Sequence, residues 1–149
     1  MAHIKVQTED FDVGAEIAAL TAGRADIGGI GCFVGTVRDN GHTVTGMTLE
    51  HYPGMTERAI TQIADQAALR WPLLGCTIIH RVGTLRPGEN IVLVIAASAH
   101  RQAALDATSF LIDWLKTKAP FWKREDHTNG DGTWVDAREE DNAAASRWG

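Results

Sequence analysis

The sequence predicts an α+β domain. Segments with the length and alternation of strands are mixed with two long segments of helical period, and the two kinds do not alternate strictly, as a parallel βαβ fold requires. Size is a further observation. The chain has 149 residues, 44% hydrophobic and 22% charged, without a linker, internal repeat or low-complexity tract. Residues 1–149 therefore read as one domain. A chain of that length buries roughly two-thirds of its unfolded surface, enough for a true core.

The elements follow in order. Residues 3–8 make a short first strand, and Asp12 is the N-cap of a helix over 13–22 with Gly23 past its end. Residues 28–38, GGIGCFVGTVR, read as a strand whose glycines let something approach closely. The D-N-G-H turn at 39–42 then predicts a hairpin into VTGMTLEHY at 44–52. Pro53 and Gly54 open a helix to about Trp71, whose Met55, Ala59, Ile63, Ala67 and Trp71 keep the four-residue spacing of one buried face. Two strands near 75–82 and 90–98 are joined by the turn Arg86-Pro87-Gly88-Glu89. A second long helix runs from about Arg101 to Lys118 with Ala104, Ala107, Leu111 and Leu115 as its packed stripe. It must stop ahead of Pro120, because a residue preceding proline is pushed out of the helical region. Short strands near 121–126 and 133–136 follow, and the tail REEDNAAASRW closes with a helical turn or two.

The totals exclude several function classes. With 14 Lys+Arg against 19 Asp+Glu the net charge is −5, whereas general nucleic-acid or membrane-surface binding needs broad positive potential. Any anion must be held locally. Cys32 and Cys76 form neither a disulfide framework nor a CxxC motif; both lie in apolar runs and read as buried, reduced thiols. MAHIKVQTED has no apolar signal core, and the longest apolar run, Ile91 to Ala99, is far short of the roughly 20 residues that cross a bilayer. The cytoplasm is the expected compartment.

The glycines G-G-I-G-C-F-V-G at 28–35 do not fit GxGxxG and lie inside a strand, not at a strand-to-helix turn, which discards a dinucleotide site. The His80-Arg81 and His100-Arg101 pairs lack metal-ligand spacing or a nearby carboxylate pattern, so no metal is expected. The second pair opens a helix, where exposed N–H groups, the helix dipole and the Arg101 fork favour an anion, with a solvated surface arginine as the alternative. Arg38 ends the glycine-rich strand and by itself reads as a surface charge.

Cations are most concentrated at 115–125, LKTKAPFWKRE. Lys116 and Lys118 are explained by the dipole at a helix end. Lys123 and Arg124 are not, because they lie beyond Pro120 on an extended segment. A proline-fixed bend lets charges from both sides converge on one pocket, and convergent cations lower a lysine pKa because each disfavours its neighbour's charged form. Such a lysine serves as acid, base or nucleophile near neutral pH. The residues thus point to a local site for a phosphorylated or carboxylated ligand.

Taken in order, FVGTVRD, LEHYPGM, IIHRVG, RPGE, SAHR and LKTKAPFWKRE resemble the family of molybdopterin synthase catalytic (large) subunits, from about residue 28 to the final RW. The resemblance implies an α/β hammerhead fold, with a mixed or antiparallel sheet and two main helices. It also implies a reaction, the conversion of cyclic pyranopterin monophosphate to molybdopterin by installing two sulfurs as a dithiolene. The sulfur would arrive as a thiocarboxylate on the C-terminal Gly-Gly tail of a small ubiquitin-like carrier subunit, in a heterotetramer built on a homodimer of large subunits, with no bound cofactor. By matched position, Lys116 is the reactive amine nearest the carrier tail and Lys123 the second essential lysine. Thr36, Val37 and Arg38, His100 and Arg101, and Arg124 and Glu125 match substrate-binding segments, Glu125 being placed to orient a lysine. Phe33 is a candidate pocket wall, with core packing as the alternative, and Arg138 a candidate to reach across the dimer. Lys118 falls where arginine is also accepted, which makes charge its task. The segment DNGHTV after Arg38 is shorter than in some members.

Two rival readings use the same residues. A non-catalytic module binding a ubiquitin-like partner would not need both Lys116 and Lys123. An RNA- or phosphosugar-binding protein would need a wider aromatic-basic platform and a less acidic remainder.

Overall fold

The computed structural model describes residues 2–39, 44–127, 132–135 and 139–148, with the backbone alone described for 44–45, 124–127, 132–135 and 139–142. The elements are β1 (Ala2–Gln7), α1 (Val13–Thr21), β2 (Gly29–Thr36), β3 (Val44–His51), α2 (Met55–Arg70), β4 (Leu73–Arg81), β5 (Gly83–Leu85), β6 (Asn90–Ser98), α3 (Arg101–Thr117), β7 (Phe121–His127), β8 (Gly132–Val135) and α4 (Glu139–Ser146). Local chemistry sets several boundaries. The Asp12 carboxylate accepts from the Ala15 N–H at 3.0 Å and starts α1. Gly54, at φ +83°, bends the chain into α2 while its N–H donates to the Glu57 carboxylate at 2.9 Å.

Among the described residues the strands form two sheets of four. The first has the order β1-β4-β6-β2, with β1 parallel to β4 and the other pairs antiparallel. The second, β5-β3-β7-β8, is antiparallel throughout. The mixed and antiparallel pairing expected from the sequence is therefore present, divided between two sheets. One face of the first sheet carries α2 and α3 on Ile78, Val92 and Val94, and that core continues into the second sheet through Met47, Leu49 and Leu85. On the other face, α1 and the residues before it lay Phe11, Val13, Ile17 and Leu20 over Ile79, Leu93 and Ile95. Alternation along β4 and β6 sends successive side chains to these two cores, so both strands are buried almost throughout.

The glycines of β2 let α3 lie against it. A Cβ on Gly31 would stand 2.4 Å from the Thr108 hydroxyl and 2.5 Å from the Ala104 carbonyl oxygen, and one on Gly28 would stand 2.0 Å from the Ala99 carbonyl oxygen. Gly31→Ala must push α3 off the sheet. Overpacking of this kind costs about 1–3 kcal/mol, and the upper end is expected here because one blocking atom is helix backbone. A urea titration of wild type and variant measures the loss.

Four expectations are corrected. β2 and β3 do not form a hairpin: β2 pairs with β6, and β3 with β5 and β7. Past Thr36 the chain is claimed by the 86–89 turn, where Val37 N–H donates to the Glu89 carbonyl (2.9 Å) and Val37 carbonyl accepts from Gly88 N–H (2.8 Å). Asn40, Gly41 and His42 of the expected turn lie outside the described residues. The connection after β4 contains β5, which continues the chain into the second sheet. The buried face of α2 is Thr56, Ile60, Ile63, Ala64 and Ala67, with Met55 exposed; a search for apolar residues alone passes over a threonine whose hydroxyl is satisfied inside. Finally, Cys32 is exposed, while Cys76 is buried. Cys32 shares the outer face of β2 with Ile30 and Val34, beyond the reach of α1.

Among the described residues, no helix is long and apolar enough to cross a membrane.

Candidate active site

Register places the two ends of the first sheet far apart. Gly29 and Leu73 both align with Ser98 at one end, whereas Thr36 aligns with Asn90 and His80 with Val92 at the other. Helix α3 starts beside Gly29, passes Gly31 at Ala104 and Thr108, and so runs toward the Thr36 end. Three connections leave the first sheet at that end, β2 to β3, β4 to β5 and α3 to β7, and all lead into the second sheet. The end of β2, the end of α3 and the start of β7 therefore converge.

The corner itself is anchored from below. Thr56, fully buried on α2, donates its hydroxyl to the Pro120 carbonyl at 3.2 Å and accepts from the Tyr52 N–H at 3.0 Å. Tyr52 packs against Trp122 with ring centroids 4.7 Å apart. Phe121 stacks on the His80 ring at 3.9 Å with planes 18° apart, and His51 stands opposite Phe121 in the β3–β7 register. Lys123 lies two residues on from Phe121, on the same face of β7 and opposite Leu49. Lys116 is exposed on the last turn of α3, close enough to His80 for its charge to act on that imidazole. Phe121 and His80 thus form a stacked floor where the end of α3 and the start of β7 converge.

His80 is the electrostatic oddity of this floor. Burial pushes its imidazole down to about 4 from an ordinary 6.5, assisted by the charges of Lys116 and His51 and opposed by its hydrogen bond to the Arg81 carbonyl. The unfolded chain takes up a proton at the ordinary value, before the folded chain does. Stability is therefore unaffected by His80 above about pH 6.5 and falls as the pH drops toward 4, by a total on the order of 3 kcal/mol. The expected result is that His80→Phe removes much of this acid sensitivity, read as urea midpoints at pH 7 and pH 4.5.

The remaining sequence candidates divide. Thr36 and Arg38 are exposed at the convergent end. Val37 between them is core, and both of its backbone groups are engaged with the 88–89 turn, so it offers a ligand no side chain and instead fixes its neighbours. Phe33 packs partly buried against the main core. Arg124 and Glu125 continue β7 opposite Thr48 and Met47, and only their backbone is described. Arg138 lies outside the described residues. Lys118 turns to a groove of about 250 Å³ between α2, α3 and α4, beside Trp114 and Trp148, away from the His80 floor.

His100 and Arg101 are not brought to this corner. They are exposed at the start of α3, where the His100 side chain makes no capping bond. Seven strand steps separate Gly29 from Thr36, about 23 Å at the usual rise. Fifteen helical steps separate Arg101 from Lys116, about 22 Å. Within one copy these are two cationic clusters at opposite ends of one strand.

Sequence reasoning missed Thr56 and the floor role of His80. The signal for Thr56 was its place just after Gly54, in phase with Ile60, Ile63 and Ala67 once threonine is allowed as a buried residue. For His80 it was a polar residue set directly after the apolar pair Ile78-Ile79 in a strand-like run. Among the described residues, no group of three or more His, Cys, Asp or Glu is arranged to hold a metal ion.

Fold and site together define an α+β protein whose two sheets meet at a cationic, aromatic corner built from a helix end and a strand start. A family model described as MoaE protein matches residues 6–118, and the chain belongs to that family. The molybdopterin synthase catalytic subunit of Mesorhizobium japonicum is 58% identical, over 97% of this chain and 92% of that protein. That of Pseudomonas aeruginosa is 56% identical over 97% of both. Among solved structures, the molybdopterin biosynthesis MoaE protein from Burkholderia ambifaria superposes with a TM-score of 0.85 at 52% identity, covering 99% of this chain and 98% of that one.

Proposed function

We propose that this chain, residues 1–149 acting as one domain, is the catalytic subunit of a cytoplasmic molybdopterin synthase. It takes sulfur from the C-terminal thiocarboxylate of a small ubiquitin-like carrier subunit and installs it on cyclic pyranopterin monophosphate to form the dithiolene. The observation that carries this reading is the convergence of the end of α3, which bears Lys116, with the start of β7, which bears Lys123, in a chain so similar to named catalytic subunits. A cyclic phosphate and a thiocarboxylate are both anions, and a compact cationic corner on an acidic protein holds them without general polyanion binding. Lys116 is assigned as the amine nearest the carrier tail and Lys123 as its partner in proton transfer or anion stabilisation. Arg38, Arg124 and the Thr36 hydroxyl bind substrate, and Glu125 orients a lysine.

The chain's own thiols fit a sulfur acceptor site better than a sulfur donor. Burial pushes Cys76 up to about 12 and raises Cys32 as well, which leaves little thiolate on either at neutral pH. A glycine tail adds no side-chain bulk and can enter a narrow cleft.

His100 and Arg101 find a role if two copies assemble. A second copy running antiparallel to the first places its α3 start beside the first copy's Lys116 end, so that each pocket draws cations from both. Arg138 is then a further cross-copy candidate. The direct test mixes the protein with thiocarboxylated carrier and cyclic pyranopterin monophosphate and measures dithiolene product. Carrier binding without product would favour the non-catalytic module.

A further inference from the structure

Lys116 and Lys123, given the central roles above, flank one bend whose hydrogen bonds fix its course. Lys118 N–H donates to the Trp114 carbonyl at 2.8 Å and Ala119 N–H to the same oxygen at 3.3 Å, which closes the last turn of α3. Phe121 N–H then donates back to the Ala119 carbonyl at 2.8 Å, a three-residue turn centred on Pro120. Proline has no N–H, so the carbonyl is the only polar backbone group that Pro120 brings. Its partner is the Thr56 hydroxyl, at 3.2 Å.

That bond falls where a strand ladder runs out. β3 and β7 pair antiparallel as far as His51 opposite Phe121, and one further step would set Tyr52 opposite Pro120. Pro120 has no N–H to complete such a pair. Instead the Thr56 hydroxyl enters between the two backbones, accepting from Tyr52 N–H at 3.0 Å and donating to the Pro120 carbonyl. One side-chain oxygen thereby relays a hydrogen bond that the strands do not make directly. The wedge is itself held in place. Thr56 is fully buried on the first turn of α2, and its own N–H donates to the Tyr52 carbonyl at 2.9 Å. Ile60 and Ile63 seat that helix in the main core, and Tyr52 packs on Trp122 at 4.7 Å. The end of β3, the start of β7 and the turn after α3 thus meet at one hydroxyl. Lys116 lies four residues before Pro120, and Lys123 three after it.

We propose that Thr56 is a positioning residue for the reaction: as a hydroxyl wedge between Tyr52 and Pro120, it sets the angle at which α3 and β7 diverge, and with it the placement of Lys116 against Lys123. This role rests on those given above to the two lysines and adds the residue that aims them. Threonine suits the task for two reasons. Its hydroxyl donates and accepts at once, as a relay between an N–H and a carbonyl requires. Its β-branch restricts χ1, so the oxygen keeps one direction. Valine has the same shape and stiffness but no hydroxyl, and the bend must shift for the Tyr52 N–H and the Pro120 carbonyl to find other partners.

The test compares Thr56→Val with Thr56→Ser in the assembled synthase. Valine loses the bonds and serine loses a buried methyl, so both should lower the urea midpoint. Only valine removes the relay. At saturating carrier and pyranopterin, and per folded molecule, Thr56→Val should lower kcat about tenfold to a hundredfold, the scale of a misplaced reacting group. KM for both substrates should stay nearly unchanged. Thr56→Ser should keep most of the wild-type kcat. In 1H–15N spectra the Tyr52 amide should shift in the valine variant and stay near its wild-type position in the serine variant. Equal turnover of the two variants, whether high or low, overturns the proposal, because a purely structural threonine shows itself in the midpoint alone. So does a Tyr52 amide that moves no further in valine than in serine. Should Thr56→Val fail to fold, Thr56→Cys takes its place, since a thiol is only a weak donor and acceptor. Turnover equal to that of Thr56→Ser then overturns the proposal, and lower turnover supports it. Full activity of Lys116→Ala would instead remove the role on which the wedge acts. The valine–serine contrast in the Tyr52 amide would be untouched by that, so the two failures are told apart.

Discussion

Lys116→Ala should reduce dithiolene formation by a hundredfold to ten-thousandfold, roughly the range contributed by one positioned acid–base group, and leave the fold and carrier binding intact. The side chain is exposed on the last turn of α3, whose packing is carried by Leu115, Leu111 and Ala107, so its truncation should alter stability by no more than about 0.5 kcal/mol. Carrier affinity, spread over a surface, should also persist. On the assignment proposed for Lys116, what is lost is the amine that would meet the carrier's acyl carbon and move protons as sulfur departs. Lys116→Arg separates charge from proton chemistry, since guanidinium remains protonated at any working pH. The arginine variant should bind both substrates and still turn over slowly. Turnover measured at saturating carrier and pyranopterin reads chemistry and not capture. Normal product formation by the alanine variant would remove Lys116 from the mechanism.

Much of the fold was legible in the sequence because it is locally encoded. Asp12 caps α1, the Ala104–Ala107–Leu111–Leu115 stripe is buried as its spacing requires, and Pro120 follows the end of α3. What was not legible is pairing at a distance. An Asn-Gly turn signals reversal of the chain, yet the partner of β3 is set by which apolar faces can be buried together. Met47 and Leu49 join the main core through the second sheet, alongside β7, a strand more than seventy residues downstream. The three residues of β5 are too short to show a period.

The same division holds for the site. A bend flanked by lysines was visible at 115–125, and the glycines of β2 announced a close approach that proves to be α3. The floor was invisible, because His80 meets Phe121 only when β4 and β7 of different sheets come together. The separation of Arg101 and Lys116, by contrast, already follows from the helix predicted over 101–118, whose rise sets them about 22 Å apart. Residues that share an element are not thereby neighbours, and a long straight helix separates its ends more surely than a loop does.

That separation yields a second large effect. If the cations at the start of α3 serve the pocket of another copy, Arg101→Ala and Lys116→Ala should each inactivate the protein alone and rescue each other when mixed. Arg101→Ala removes a bidentate phosphate fork and should weaken capture of the pyranopterin more than capture of the carrier. Lys116→Ala removes the chemistry. In a mixed dimer, one pocket combines the intact Lys116 of the first variant with the intact Arg101 of the second, and the other pocket carries both defects. Random mixing of equal amounts then restores about a quarter of wild-type sites, since about half the dimers are mixed and each has one good pocket. Co-expression with two affinity tags isolates the mixed species and should bring the yield to about half. The double variant Arg101→Ala/Lys116→Ala mixed with wild type distinguishes the arrangements further, because every mixed pocket then carries one lesion and activity should fall below simple dilution. If the single variants failed to complement in purified mixed dimers, Arg101 would not serve the Lys116 pocket of another copy, because within one chain α3 itself holds the two about 22 Å apart. Only unwinding α3 would bring them together, and that would strip it from the glycines that seat it.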